Sequence, residues 1–197
     1  MEKAVTRPAA KADAPAVARL LMMAWPIESF LAMSPGMTED MLAEIITGYV
    51  EAEDTLYSYR NNIVAVDGGK IAGTICGYDG AMYEVLKRPV LDDFSRRFPS
   101  EDSSFGNVTE TEAGEFYIDS AGVDPGARGL GIGSMLFKAI LEKASGLGFR
   151  KAGLIVDFDN PKAEALYLRL GFRHVGYRDF FGHSMKHMQK NLHGIQG

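Results

Sequence analysis

Val123-Asp124-Pro125-Gly126-Ala127-Arg128-Gly129-Leu130-Gly131-Ile132-Gly133-Ser134 lies between an apolar strand pattern, Phe116 to Val123, and an amphipathic helix pattern. That helix carries Ile132, Met135, Leu136, Ala139 and Ile140 at i, i+3, i+4, i+7 and i+8. Gly129, Gly131 and Gly133 occupy alternate positions where strand turns into helix. Without side chains there, several backbone N–H groups can converge on one concavity, backed by the positive end of the helix dipole. Arg128 adds a formal charge and a planar fork suited to phosphate oxygens. A turn that only changes direction needs one glycine. Three of them before a strong helix, with an arginine at the mouth, point to an anion site, phosphate first.

The rest of the chain bounds what such a site can serve. Its 197 residues suffice for one domain, 1–197, with a substantial core. Composition is globular, 46% hydrophobic and 24% charged, and shows no internal repeat. A net charge of −5 without any run of Lys or Arg argues against nucleic acid as a partner. Cys76 is the only cysteine, so an internal disulfide and a cysteine-type zinc site are excluded, and no metal is expected. The N-terminal residues show no apolar leader, and no stretch approaches the roughly 18 apolar residues of a membrane span. The expectation is a soluble, cytoplasmic protein with no membrane partner.

Working outward, Val5 to Arg7 read as a strand broken by Pro8. Asp13 caps a helix with Pro15 in its first turn and Val17, Leu20 and Leu21 on one face, ended by Trp25-Pro26. Thr38-Glu39-Asp40 starts a second helix bearing Met41, Leu42, Ile45, Ile46 and Tyr49. Asp67-Gly68-Gly69-Lys70 joins two strands, 62–66 and 71–76, as a hairpin. Residues 79–113 read as an insertion over one side of the site: a helix from Ala81 to Phe98 interrupted near Pro89, then a polar loop. The acids of that loop, Glu101, Asp102, Glu110 and Glu112, read as solvating charge that hints at a cationic substrate. Beyond Gly146-Leu147-Gly148 come a strand over 151–157, a helix opened by Asn160-Pro161 and closed at Gly171, and strands over 172–177 and 183–189. The order β-α-α-β-β, insertion, β-α-β-α-β-β describes an α/β protein, a mixed sheet with helices on its faces.

Asn160 and Tyr167 are seven residues apart, which on a helix puts them on nearly one face, drifting by about 20°. A right-handed β-α-β unit sets strand 151–157 beside strand 116–123, so the phosphate turn, an amide and a phenol would line one groove.

On these residues the chain resembles the GNAT superfamily of acyl-CoA-dependent N-acetyltransferases. The likeness rests on Val123-Asp124-Pro125, on Arg128-Gly129-Leu130-Gly131-Ile132-Gly133, and on a second block, Asn160, Ala163, Leu166-Tyr167 and Leu170-Gly171-Phe172. It is strong over 115–177 and looser at Arg7-Pro8, Asp13 and the hairpin near Gly73. The resemblance implies the GNAT fold, a central, mostly antiparallel sheet with a splayed parallel pair and flanking helices. It also implies acetyl-CoA as cosubstrate, its pyrophosphate on amides of Arg128 to Ser134 (Arg128, Gly129, Leu130, Gly131, Ile132, Gly133, Ser134). Backbone groups of Ala121, Gly122 and Val123 would pair with the pantetheine arm, and Asn160 would hydrogen-bond it. Tyr167 would protonate the departing thiolate, chemistry suited to a phenol of ordinary pKa near 10.

The acceptor is a small-molecule or peptide amine. The positions where relatives carry a basic glutamate hold Ile155 and Tyr117 here. Asp119 is the first candidate for the base, acting directly or through water, with Glu115 second; His183 and His187 share a face of the last strand and could relay a proton. The C-terminal strands allow a homodimer. Two rival readings compete with this one. A dinucleotide-binding oxidoreductase fails because Ser134 stands where its third glycine belongs and because only 40 residues follow Asp157. A catalytically silent acyl-CoA sensor or scaffold would keep the pocket, and the presence of Tyr167 counts against it.

Overall fold

The computed structural model describes residues 4–25, 27–28, 31, 36–98, 109–180 and 183–192. Of the expected loop over 99–113, residues 99–108, Glu101 and Asp102 among them, lie outside these, as does Pro26. Strands pair in the order β1-β2-β3-β4-β5-β7-β6, a seven-stranded, mostly antiparallel sheet with one parallel pair. The ranges are β1 Val5–Pro8, β2 Asn62–Asp67, β3 Lys70–Asp79, β4 Phe116–Val123, β5 Lys151–Asp157, β6 Arg173–Phe180 and β7 His183–Asn191. Helices among the described residues include α1 Ala14–Met22, α2 Glu39–Glu51, α3 Tyr83–Arg97, α4 Ile132–Gly146 and α5 Pro161–Arg169. The fold class is the expected α/β arrangement.

Two compact units share this chain. The first comprises residues 1–77 and 120–140. Here β1 pairs antiparallel with β2, and β2 with β3, through a turn whose Gly68 and Gly69 take φ of +54° and +77°. Only glycine adopts two such angles in succession cheaply, which is why Asp-Gly-Gly-Lys closes the hairpin. Leu42, Ile46, Tyr49 and Val50 of α2 are buried with Val17, Leu20 and Leu21 of α1, while Met41, expected on the same face, is exposed. Thr38 caps α2, its Oγ1 accepting from the Met41 N–H at 3.2 Å. Asp13 stands at the N-cap position of α1 without making the cap bond. Its carboxylate turns back to accept from the Ala10 N–H and from Arg7, and Arg7 holds it below its usual pKa. Between them the Arg7 guanidinium and the Ala10 amide occupy the carboxylate that would otherwise cap α1.

The second unit comprises residues 78–119 and 141–197. β5 runs antiparallel to β7 from Lys151↔Asn191 to Asp157↔Met185, and β7 pairs with β6. The parallel ladder between β4 and β5 is short, Phe116↔Ala152 and Tyr117↔Gly153, although β5 continues to Asp157. Phe116, Tyr117, Leu154, Phe172 and Met188 form the buried centre of this unit. α3 runs unbroken through Pro89, against the expected interruption. Proline removes one helical hydrogen bond, to the carbonyl of Val85, and Val85 is 61% exposed, so water can take that carbonyl instead.

Candidate active site

The turn before α4 begins with Asp124, whose N–H donates to the Ala72 carbonyl at 2.9 Å and whose Oδ1 accepts from the Gly126 N–H at 2.8 Å. Gly129 and Gly131 follow with φ of +80° and +79°. A Cβ at either would meet nothing within 4 Å, so crowding does not explain these glycines. Backbone conformation does, and the space beside them is open. Gly133 is the third of the alternating set but needs neither freedom: it is helical, and its nearest neighbour is Val123 Cγ2 at 3.9 Å. Arg128, Gly129, Leu130, Gly131 and Ser134 are exposed, while Ile132 and Leu136 are buried and fix the helix start. The first-turn N–H groups of α4 have no acceptor within their helix, and the helix dipole favours an anion beside them.

Ala121 and Val123 are half-buried and Gly122 is buried, all in the first unit with Arg128 to Ser134; Asp119, Asn160 and Tyr167 belong to the second. Asn160 caps α5, its Oδ1 accepting from the Ala163 N–H at 3.2 Å, which leaves its NH2 group to donate elsewhere. Tyr167, near the end of α5, sets its ring edge-on to Phe172 at 6.1 Å. Burial raises its phenol above the usual pKa, so it stays protonated well past neutral pH.

Asp119 is half-buried on β4 and accepts from the Tyr78 hydroxyl at 2.6 Å. It has company that the sequence gives no sign of. Glu110, read above as a solvating acid, is drawn in: its two oxygens accept from Tyr83 and Tyr117 hydroxyls, each at 2.7 Å. The rings of Tyr78 and Tyr117 lie 6.0 Å apart, and the buried ammonium of Lys87 sits 4.4 Å from the centre of the Tyr83 ring. Burial first, then the charge of Asp119, push the Glu110 carboxyl up to about 7. Burial also raises all three phenols, which therefore act as donors.

Glu115 plays a different part. It is fully buried, and its oxygens meet the Glu112 N–H at 2.8 Å, the Gln189 amide at 2.7 Å and His187 Nε2 at 3.1 Å. Those contacts make Glu115 an anchor between the start of β4 and β7. His187, a candidate proton relay in sequence, is 1% exposed and held against Glu115. Glu112 is held at about 2 by Lys151 first, then Gln189 and Arg178. A carboxylate lowered on folding stabilises the protein above its unfolded pKa, near 4.5, and that contribution disappears as pH falls through about 2. Glu112→Gln should therefore cost about 1 kcal/mol at neutral pH, small because the pair is partly solvated, and nothing near pH 2. Urea titrations at several pH values read this out; a cost independent of pH would contradict the pairing.

Among the described residues no group of three or more His, Cys, Asp or Glu is arranged to hold a metal ion, and no helix is long and apolar enough to cross a membrane. Cys76 is buried, its thiol 3.3 Å from the Leu56 carbonyl.

Comparison with known proteins gives a concordant result. The Acetyltransferase (GNAT) family profile matches residues 23–172. A solved structure described as an acetyltransferase is 31% identical, with a TM-score of 0.75, covering 95% of this chain and 99% of its own. An N-acetyltransferase from Staphylococcus aureus Mu50, 22% identical, shares the fold with a TM-score of 0.76, over 94% of this chain and 99% of its own. Among curated proteins, a mycothiol acetyltransferase from a Nocardioides species is 40% identical over 74 residues, 38% of this chain and 24% of that protein. One from Mycobacteroides abscessus is 46% identical over 59 residues, 30% of this chain and 19% of that protein. The chain thus matches a quarter or less of the length of these curated relatives.

Proposed function

The chain belongs to the GNAT family of acetyltransferases, and from that premise we propose that it moves an acetyl group from acetyl-CoA to a primary amine by direct attack. The observation that carries this reading is the turn at Gly129 and Gly131, two positive-φ glycines opening α4 with Arg128 exposed beside them. Amides of Arg128 to Ser134 would hold the pyrophosphate. Ala121, Gly122 and Val123 would present strand backbone to the pantetheine arm, and the NH2 group of Asn160 would donate to it. The thioester supplies an activated carbonyl carbon and a thiolate leaving group. Tyr167 donates the proton that the thiolate needs, and Asp119, directly or through water, relieves the amine of its own. Residues 1–197 act as one domain with an insertion at 79–113, in the cytoplasm, on a small-molecule or peptide amine, without nucleic acid or membrane, as a monomer or homodimer.

Calorimetric titration with acetyl-CoA tests the reading, with NAD as control. Binding of acetyl-CoA alone is expected. Gly129→Val and Gly131→Val force a β-branched residue into positive φ and fill the open space, so each should weaken binding at least about tenfold while costing stability about 1–2 kcal/mol. Unchanged affinity in both variants would remove the turn from the cofactor site.

A further inference from the structure

Asp119 does not work alone. We propose that Glu110 is a positioning residue for proton removal, the partner of Asp119 in a carboxyl pair that three tyrosine hydroxyls hold in place. This rests on the acetyl-transfer reading and deepens it.

The groups facing the pair come from three elements: Tyr78 on β3, Tyr83, Glu84 and Lys87 on α3, and Tyr117 on β4 beside Asp119 itself. Lys87, the cation among these described groups, is shared with Glu84 at 3.1 Å. Two carboxyls set among neutral phenols disfavour each other's ionisation, so the pair gives up its last proton at higher pH than a lone carboxyl does. Phenols fix both carboxyls by donating to them, and all three stay protonated over the working range, so the proton that moves belongs to the pair. The elevation of Glu110 to about 7 agrees with this arrangement. A pair that loses its last proton near neutrality is a base matched to its task, strong enough to accept a proton and still ionised often enough to do so.

The balance of the step is simple. An N–H bond of the acceptor's ammonium breaks, and its proton goes to the ionised pair. The electron pair stays on nitrogen and forms the bond to the thioester carbonyl carbon. The C–S bond then breaks, sulfur keeps its electrons, and Tyr167 protonates it. The second amine proton leaves as the amide forms and passes through water to the Tyr167 phenolate, which restores the phenol.

The test couples two measurements on the full chain. Carboxyl carbons of 13C-labelled Glu and Asp are followed by NMR against pH, and thiol release from acetyl-CoA is followed with propylamine as probe acceptor. In the wild type the Glu110 and Asp119 signals should move together in the same two steps. In Asp119→Asn the Glu110 midpoint should drop by about one pH unit or more, since the neighbouring charge is gone. Glu110→Gln should shift the acid limb of the kcat/KM profile to lower pH and reduce the plateau about tenfold, and Glu110→Asp should restore both in part. Independent titration of the two signals at ordinary carboxylate pH would overturn the pairing while leaving acetyl transfer standing. A Glu110→Gln change in KM alone would overturn its role in proton removal. Failure of the wild type to bind acetyl-CoA would defeat the transfer reading and this role with it, whatever the titration shows.

Discussion

Gly122→Ala is expected to lower stability by about 3 kcal/mol or more, beyond the usual range for adding one methyl group. A Cβ at this position on β4 would lie 2.0 Å from the carbonyl oxygen of Leu20 and 2.7 Å from its carbonyl carbon. Those are backbone atoms near the end of α1, so no rotamer change relieves the clash. Relief requires moving α1, whose Val17, Ala18 and Leu21 are fully buried, or bending β4 away from it. Either movement breaks contacts in a close-packed interior. Gly133→Ala is the matched control: its Cβ has no neighbour nearer than 3.9 Å and the site is helical, so the change should be neutral or stabilising by a few tenths of a kcal/mol. Chemical denaturation of both variants decides the matter. A loss under about 1 kcal/mol for Gly122→Ala would mean that α1 yields far more easily than close packing allows.

That contrast shows how the glycines of this chain divide, and how far the sequence carries. Their spacing before α4 is visible in the letters, and the turn that they imply is there. Which of them bend the backbone is not visible: Gly129 and Gly131 do, Gly133 does not. Gly122 and Gly153 lie inside strand patterns, and a glycine there is a general sign of close approach. The sign does not say what approaches. At Gly153 it is the carboxylate of Glu115, within 2.0 Å of where a Cβ would stand; at Gly122 it is a helix carbonyl. Strand periods, the hairpin turn and the caps at Thr38 and Asn160 are local properties and legible in sequence, whereas the cap read at Asp13 fails because Arg7, six residues away, takes its carboxylate. The environments of Glu110, Glu115 and His187 depend on residues tens of positions away, as in the contact between His187 and Glu115. An acid in a polar stretch looks the same in sequence whether it faces water or, like Glu110, two tyrosine hydroxyls. From sequence, Glu110 therefore reads as one more loop acid, and His187 as a residue on one face of the last strand.

Tyr167→Phe carries the largest expected effect on turnover. General acid catalysis contributes about 10²–10⁴-fold, so removing the phenolic proton should reduce kcat by that order while acetyl-CoA affinity stays within about twofold. The fold-preserving nature of the change follows from its surroundings: the ring packs edge-on against Phe172, a contact that phenylalanine retains. Burial raises the Tyr167 phenol, so it stays protonated throughout the neutral range and its ionisation should contribute no alkaline limb below its ordinary pKa, about 10. The thiolate would have to take its proton from water in the variant. A thioester that expels its thiolate slowly depends most on the proton donor, so the loss should grow with the difficulty of C–S cleavage. A more acidic thiol leaving group needs less protonation, and an acetyl thioester of such a thiol should narrow the gap between wild type and Tyr167→Phe. Equal ratios for both thioesters would place Tyr167 outside the leaving-group step, and an unchanged kcat would remove it from the chemistry altogether.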